Sequence, residues 1–220
     1  MYQPKHFEEV DTKILHELIR SHPLGAWVIQ SEAGLTANHI PFLIDPDRGE
    51  FGTLVGHVAR ANPAWQSFSK AHHSLIIFQG AESYITPSWY PSKHEHGKAV
   101  PTWNYVVVHA HGMPRAIKDR DWLLQHLSQL TDRHENHQRQ PWKVTDAPQE
   151  FIEQLLSAIV GIEIPITALA GKWKVSQNRP EADRLGVVAG LKTLGLRSGD
   201  TSKAMADWVR QRGSHGLHIS

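Results

Sequence analysis

Apolar and polar residues alternate in short runs along the first half of the chain. Runs at 24–30, 35–44 and 50–58 are separated by the turn segments Ser31-Glu-Ala-Gly34 and Asp45-Pro-Asp-Arg-Gly49. Alternation with a period of two indicates half-buried strands, and strands joined by short turns lie antiparallel. The pattern therefore predicts an antiparallel meander. Further strand-like runs occur at 75–78, 84–86, 105–112, 162–169 and 171–176.

Helical spacing of apolar residues predicts helices around these strands. The first spans Asp11 to about Arg20, with Asp11 as its N-cap. A short helix is predicted at Asn62-Pro63, because Asn caps well and Pro suits the first turn. Later helices are predicted at 119–137, from Asp146 with Gln149 in a capping box, at 180–194 and at 201–211. The helix from Asp146 is expected to bury Phe151, Ile152, Leu155, Leu156 and Ile159.

Strands with helices inserted later, and no internal repeat or composition break, indicate the α+β class. We expect an antiparallel β-barrel with added helices, formed by a single domain over residues 1–220. A helical C-terminal extension of this domain covers about 178–212.

Composition narrows the possible function classes. The 23 basic and 22 acidic residues leave a formal charge of +1, so no general basic excess favours nucleic acid. The absence of cysteine excludes disulfides, thiol catalysis and cysteine-bound metal centres. No apolar run approaches the ~18 residues of a membrane span, and the N-terminus lacks an apolar signal core. We therefore expect a cytoplasmic protein without a membrane segment.

Five large aromatic residues lie in, or just after, a segment rich in Pro and Ser. They are Tyr84, Trp89, Tyr90, Trp103 and Tyr105. Flat side chains on an irregular backbone can pack a loop onto a barrel, and they can also stack against a planar ring. Both interpretations stay open, and the second predicts a pocket for a flat cofactor.

The segment from Gly56 to Trp65 is predicted to run from a strand end into a helix N-terminus. The first amides of a helix lack internal acceptors and carry partial positive charge. Arg60 adds a planar fork of donors that suits a phosphate, and His57 can donate from the strand. A phosphorylated cofactor needs this arrangement, although any strand-helix turn with an arginine would look similar.

A second cationic segment ends the last predicted strand. Alternation places Lys172, Lys174 and Ser176 on one face. An ordinary exposed edge strand fits this pattern, and so does a set of donors to an anion or to ring carbonyls. Gln177 and Asn178 can serve as hydrogen-bonding groups or as a helix cap.

The histidines include three pairs with strand or helical spacing, namely His94 with His96, His109 with His111, and His134 with His137. No nearby carboxylate completes a known metal pattern around any pair. No G-x-S-x-G elbow surrounds a serine. We therefore assign neither a metal site nor a catalytic residue.

Several segments taken together resemble one family. They are Pro41–Ile44, Gly56–Pro63, Phe78–Gly80, Tyr84–Lys93, Val100–Gly112 and Gly171–Arg179. Over about residues 1–191 the chain resembles the PaiB family of FMN-binding negative transcriptional regulators. The resemblance implies a split-barrel fold similar to pyridoxamine-phosphate-oxidase-like proteins, with FMN between the subunits of a homodimer. It also implies a bacterial, cytoplasmic regulator that represses genes such as those for secreted proteases and sporulation.

With this resemblance, the residues predict an FMN site in three parts. The phosphate is received by His57, Arg60 and the backbone amides of Ala61 and Asn62. The ring is flanked by Trp89, Trp103 and Tyr105. The ring or the phosphate is reached across the dimer by Lys174, Gln177 and Asn178.

Three other functions remain open. A flavin-dependent reductase or oxidase on a split barrel needs no G-x-G-x-x-G fingerprint. A haem-binding split barrel would use a histidine as axial ligand. A DNA-binding repressor would place the last two helices as a helix-turn-helix, with Lys203, Arg210 and Arg212 on the second. That helix has few base-reading side chains at its start, so we expect these helices to pack against the barrel or a partner subunit.

Overall fold

The strands join in one hydrogen-bonded antiparallel sheet. The structure is a computed structural model that describes residues 1–31, 34–66, 74–198 and 200–213. Within these residues the strands are β1 (Glu8–Glu9), β2 (Leu24–Ser31), β3 (Gly34–Pro41), β4 (Leu43–Asp45), β5 (Thr53–Ala59), β6 (Ser74–Ile85), β7 (Thr102–Gly112), β8 (Arg115–Ile117) and β9 (Ile159–Lys174). They pair in the order β3-β2-β6-β7-β9-β5-β4, and β1 and β8 also pair with β9. With the helices below, this confirms the predicted α+β class.

The chain divides into two compact units. Unit 1 comprises Met1–Leu15, Gln79–Val108 and Ala170–Ser220, and unit 2 comprises His16–Phe78 and His109–Leu169. The long strands β6, β7 and β9 each contribute residues to both units. The single-domain organisation expected from the sequence stays a prediction.

The helices begin at residues that the sequence largely identifies. They are α1 (Thr12–Ser21), α2 (Ser92–His96), α3 (Arg120–Glu135), α4 (Gln149–Ser157), α5 (Glu181–Ser198) and α6 (Asp200–Gly213). Asp11 caps α1, because its carboxylate accepts from the amide of Lys13 at 2.9 Å. Asp119 caps α3 in the same way, accepting from the amide of Trp122 at 2.8 Å. Across the described residues, no helix is both long enough and apolar enough to cross a membrane.

Helix α4 begins later than predicted. Asp146 ends a 3₁₀ turn, and its carboxylate accepts from the amide of Lys143 at 2.9 Å. The α-helix starts only after Pro148, so the predicted capping box between Asp146 and Gln149 is wrong. Proline restricts the residue before it to extended backbone, which separates the turn from the helix.

The predicted burial of the apolar residues of α4 is also wrong in part. Leu156 is 4% exposed, whereas Phe151 and Leu155 are 51% and 45% exposed. A short helix on a surface turns only one narrow stripe inward, so its other apolar side chains remain in solvent.

Two further predictions need correction. The strand-like runs at 75–78 and 84–86 are parts of one strand, β6, and those at 162–169 and 171–176 belong largely to β9. The short helix predicted at Asn62-Pro63 begins at Pro63 as a 3₁₀-helix over Pro63–Gln66, and residues 67–73 lie outside the described residues. Continuous ladder pairing extends a strand through positions where local propensity alone suggests a break.

Unit 2 has an apolar core built mainly from its strands. Its most deeply buried large side chains come from strands and the residue between β3 and β4 (Trp27, Phe42, Leu54, Ile76, Phe78, Ile162 and Ile164) and from two helices (Ile19 and Leu123). Antiparallel pairing of β5 with β9 places His57 opposite Gly161. The register of these two strands therefore decides what His57 faces.

In unit 1, helices α5 and α6 pack inward. Their fully buried apolar residues include Val187, Leu191, Met205, Ala206 and Val209. Trp208 of α6 meets Trp173 of β9 edge to face, with ring centroids 5.7 Å apart. The expectation that the C-terminal helices pack against the barrel strands is confirmed within this unit.

Helix α5 presents two glycines to the loop that carries Trp89. A Cβ on Gly186 would lie inside the van der Waals radius of the Trp89 carbonyl oxygen, and a Cβ on Gly190 would enter the Trp89 indole. Alanine favours a helix over glycine by about 1 kcal/mol, but overpacking against fixed backbone costs about 1–3 kcal/mol. Because this contact is with backbone that cannot move aside, the upper part of that range applies, and we expect Gly186→Ala to lower the free energy of unfolding by about 1–2 kcal/mol in urea titration.

Gly195→Ala in the same helix is the control. Its Cβ would lie 2.9 Å from a side-chain carbon of Lys203, which can move aside. This variant should keep or slightly raise the stability. A Gly186→Ala protein as stable as the wild type would contradict the close packing of Trp89 on α5.

Candidate functional site

The residues predicted to hold FMN belong to both units. His57, Arg60, Ala61 and Asn62 lie in unit 2, at the end of β5 and in the turn after it. The remaining predicted residues, Trp89, Trp103, Tyr105, Lys174, Gln177 and Asn178, lie in unit 1.

The turn after β5 is held by its own hydrogen bonds. The Asn62 carboxamide donates to Asn38 Oδ1 at 2.8 Å, and its oxygen accepts from the amide of Ala64 at 2.9 Å. The Trp65 indole donates to the carbonyl of Arg60 at 2.9 Å. Asn62 is thus a cap, as its sequence context predicted, while Ala61 is exposed.

Arg60 holds the end of α4. Its Nε donates to the carbonyl of Ser157 at 2.5 Å, its guanidinium Nη2 to that of Ile159 at 3.0 Å, and its amide to that of Ala158 at 2.7 Å. The carbonyls of a last helical turn lack internal donors, so a cation there is stabilising. A guanidinium carries five N–H donors, and these bonds use two of them.

His57 faces another histidine that the sequence analysis missed. His57 Nδ1 and His126 Nε2 are 3.1 Å apart, so one of these nitrogens carries the shared proton. The His126 ring stacks on Trp122 with centroids 5.4 Å apart. Trp122 fits because Gly161 has no Cβ that would enter its ring. The signal in the sequence was helical spacing, which puts His126 on the same face as the buried Leu123.

Burial perturbs both imidazoles of this pair. His126 is 3% exposed, and its Nδ1 has no hydrogen-bond partner among the described residues. Desolvation, followed by the repulsion of His57, lowers the pKa of His126 to about 4. Desolvation also lowers the pKa of His57. Both rings are therefore neutral near pH 7, and His57 can give a ligand a hydrogen bond but no full charge.

The predicted aromatic residues of unit 1 have three different environments. Trp89 is half-buried with its indole on Gly190. Tyr105 is half-buried and has the ammonium of Lys172 5.5 Å from its ring centroid. Trp103 is 53% exposed and meets the exposed Tyr84 edge to face at 6.0 Å. Only the last pair offers open aromatic surface. Packing of a loop onto the strands and helices is therefore seen for Trp89, whereas the pocket for a flat cofactor stays a prediction.

Lys174 is tied to the strand that carries Trp103. Its ammonium donates to Thr102 Oγ1 at 2.5 Å and to the carbonyl of Trp103. Burial, followed by the charges of Lys172 and Arg179, lowers the pKa of Lys174. Lys172 is only 7% exposed, so the alternative of an ordinary exposed edge strand is wrong there.

The chain after β9 follows an unusual path. Gln177 accepts from the amide of Val175 at 2.8 Å and donates to the carbonyl of Trp173, so both ends of its carboxamide are used locally. Ser176 has φ 63° and is the one non-glycine residue with positive φ among those described. Such backbone costs about 1–3 kcal/mol and concentrates at functional sites.

A cavity of about 60 Å³ lies beside this strained turn. Its lining includes Lys174 and Asn178 from the predicted set, together with Tyr90, Thr102, Asn104, Ser176 and Arg179. Tyr90 and Ser176 are not in the FMN set predicted from the sequence, because only the fold shows which side chains share a cavity.

Basic residues of α6 are not all available to DNA. Arg212 forms an ion pair with Glu9 and lies over the Trp173 ring at 5.9 Å. Arg210 pairs with Asp207 at 3.7 Å. Of the three basic residues expected on a recognition helix, these two are already engaged with carboxylates.

Comparisons with known proteins give a sequence family and several relatives of this chain. Residues 1–168 match the sequence family described as "Putative FMN-binding domain". An uncharacterized protein of Emericella nidulans is 34% identical over 97% of this chain and 98% of its own length. The protease synthase and sporulation protein PAI 2 of Bacillus subtilis is 28% identical over 96% and 98%.

A solved structure shares the fold at low sequence identity. The FAD and heme binding protein from Mycobacterium smegmatis aligns with a TM-score of 0.57 and 15% identity, covering 76% of this chain and 73% of that chain. At this identity the likeness concerns the fold alone. It confirms the predicted split-barrel fold, although over the described residues the sheet runs from β3 to β4 without closing into a barrel.

The buried His57–His126 pair predicts a pH-dependent stability. A pKa held below that of the unfolded chain means that the unfolded state binds more protons as the pH falls. Stability is therefore full above about pH 6.5 and decreases towards pH 4, by on the order of 3 kcal/mol for His126. Urea unfolding at several pH values measures this change.

His126→Gln removes this titration and should flatten the dependence on pH. His134→Gln is the matched control, because His134 is exposed on the same helix. A dependence equally steep in wild type and His126→Gln would show that other groups cause the acid sensitivity.

Proposed function

We propose that this chain, which belongs to the FMN-binding domain family, binds FMN through the site residues predicted from its sequence. The family match itself confirms the predicted cofactor. Bound FMN supplies an isoalloxazine ring that accepts and donates electrons. The chain's own residues bind the phosphate, flank the ring and place a cation near it.

The observation that carries this assignment is the position of Lys174 beside open aromatic surface. Its ammonium is fixed by Thr102 and by the carbonyl of Trp103, and Trp103 shares an exposed aromatic surface with Tyr84. An exposed ring pair suits stacking on a flat ligand, and a fixed cation suits its carbonyl edge. These residues therefore fit a flavin ring.

The phosphate is assigned to the turn after β5. Arg60 keeps three guanidinium donors beyond the two that bind α4, and its side chain is exposed. His57 contributes a neutral donor or acceptor, and the amides of Ala61 and Asn62 complete the set. Because α4 already fixes Arg60, its side chain would lose little conformational entropy on binding.

The homodimer and the cytoplasmic location are part of the same proposal. The exposed Trp103, Tyr84 and Val100 are apolar surface that a second copy of the chain could cover. In this arrangement Lys174 and Asn178 reach a flavin whose phosphate is bound by the partner copy. The Gln177 carboxamide, already bound to Val175 and Trp173, adds only its remaining lone pair and N–H.

A regulatory role is the second candidate. Support comes from the PAI 2 relative, whose name refers to protease synthesis and sporulation and whose match spans nearly the whole chain. The fungal relative is more similar still, which favours a role that both share. We propose that flavin binding is this shared property, and that repression of protease and sporulation genes would act through it without direct DNA contact by α6.

Arg60→Ala tests the phosphate assignment. Loss of a charge-assisted hydrogen bond costs about 1.5–3 kcal/mol, so FMN affinity should fall roughly 10- to 150-fold. Riboflavin lacks the phosphate, so its affinity should stay unchanged. Titrations followed by flavin fluorescence measure both constants.

The comparison with riboflavin separates binding from folding, because Arg60 also holds α4. Arg120→Ala is the control, since Arg120 is an exposed arginine paired with Glu153 of α4. It should leave both affinities intact. Equal losses of FMN and riboflavin in Arg60→Ala would reject the phosphate contact, and a wild type that binds neither flavin would reject the proposed function.

A further inference from the structure

The small cavity of unit 1 has a polar, cationic lining. Tyr90, Thr102, Asn104, Lys174, Ser176, Asn178 and Arg179 surround about 60 Å³. Pockets that hold drug-sized ligands are about 300–1,000 Å³, so this space is too small for a whole flavin ring. It suits one compact polar group.

Positive charge collects around this cavity without a counter-ion. Lys174 and Arg179 line it, and Lys172 lies near enough to oppose protonation of Lys174. Among the described residues, none of these three cations forms an ion pair with a carboxylate. Partly buried charges without a partner are costly. An anion in the cavity would offset that cost.

Tyr90 supplies an unused donor. The side chain is 1% exposed. Its oxygen lies near enough to the Arg179 guanidinium to accept from it, but its O–H has no acceptor among the described residues. Buried hydroxyls are nearly always paired in native proteins. The Arg179 guanidinium lies 5.0 Å from the Tyr90 ring centroid, so these donors are close together.

Asp183, the carboxylate whose charge raises the pKa of Tyr90, is already hydrogen-bonded to another residue. Asp183 accepts from the amide of Ser92 at 3.1 Å and from its hydroxyl at 2.7 Å, and it does not line the cavity. Burial raises the pKa of Tyr90 more than Arg179 lowers it. The hydroxyl therefore stays protonated and can donate.

The cavity wall is also held in a strained form. Ser176 has positive φ, and its hydroxyl accepts from the buried Asn104 carboxamide at 2.9 Å. Residues in sparsely populated backbone regions persist where surrounding contacts hold them, often at ligand sites. This strain positions the start of the segment that ends in Arg179.

We propose that this cavity binds a tetrahedral oxyanion of the phosphate class, with Tyr90, Lys174 and Arg179 as donors. The site shares no residue with the turn around Arg60, but its Lys174 and Asn178 also belong to the FMN set proposed above. The inference rests on that proposed function only where the phosphate is that of FMN, and in that case the cavity would replace the turn around Arg60 as the phosphate site. The phosphate group is either free or part of a phosphorylated ligand, which includes FMN itself.

Calorimetric titration of the full-length protein with inorganic phosphate, at constant ionic strength, tests the site. Tyr90→Phe removes only the hydroxyl, and Arg179→Gln removes a charge. Each should weaken phosphate binding roughly 10- to 100-fold. Lys192→Gln is the control, because Lys192 is exposed on α5 and does not line the cavity. Thermal melting of each variant verifies that it is folded.

A second arm identifies the source of the phosphate. If the cavity takes the FMN phosphate, both variants weaken FMN roughly 10- to 100-fold and leave riboflavin unchanged. If it takes another phosphate, the variants weaken inorganic phosphate alone. Either result supports the oxyanion site.

Two further results would each contradict one of the two proposals. Variants that bind phosphate, FMN and riboflavin as the wild type does would overturn the site. A wild type that binds inorganic phosphate through Tyr90 but binds neither flavin would overturn the FMN proposal and leave this site standing.

Discussion

The ladder of β9 is the constraint on which the rest of the structure depends. This strand pairs with β5 and β8 in unit 2 and with β1 in unit 1. It begins at Ile159, whose carbonyl binds Arg60, and it ends at Lys174, whose ammonium binds β7. A one-residue slip in a strand exchanges its two faces, so correct register decides where both candidate groups point. The chemistry at each end is therefore specified by backbone pairing.

The two units handle polar groups in opposite ways. In unit 2, His57 and His126 are buried as neutral rings, because desolvation disfavours their charged forms. In unit 1, Lys172, Lys174 and Arg179 gather without a carboxylate partner among the described residues. A neutral pair stabilises a core only while it stays neutral, whereas unpaired cations create a place for an anion.

Structural roles and proposed binding roles overlap at several positions. Arg60 holds α4 through two carbonyls and still keeps donors for a phosphate. Trp89 fills a cleft formed by the glycines of α5, while Trp103 keeps open surface. A side chain that packing already holds in place loses little conformational entropy when a ligand binds. A residue with both a structural and a binding role therefore binds at a lower entropic cost.

Local pattern by itself determined the α+β class, most strands, the caps at Asp11 and Asp119, and a cationic segment near Lys174. These features depend on neighbours in the chain, through side-chain alternation, capping and motif resemblance. Local pattern did not predict where α4 begins, that several of its apolar residues are exposed, or that His57 contacts His126. Tertiary structure alone decided these three features, and it alone formed the cavity beside Tyr90. Burial, pKa and the partner of each polar group depend on residues distant in sequence, which the strand register and helix packing bring together.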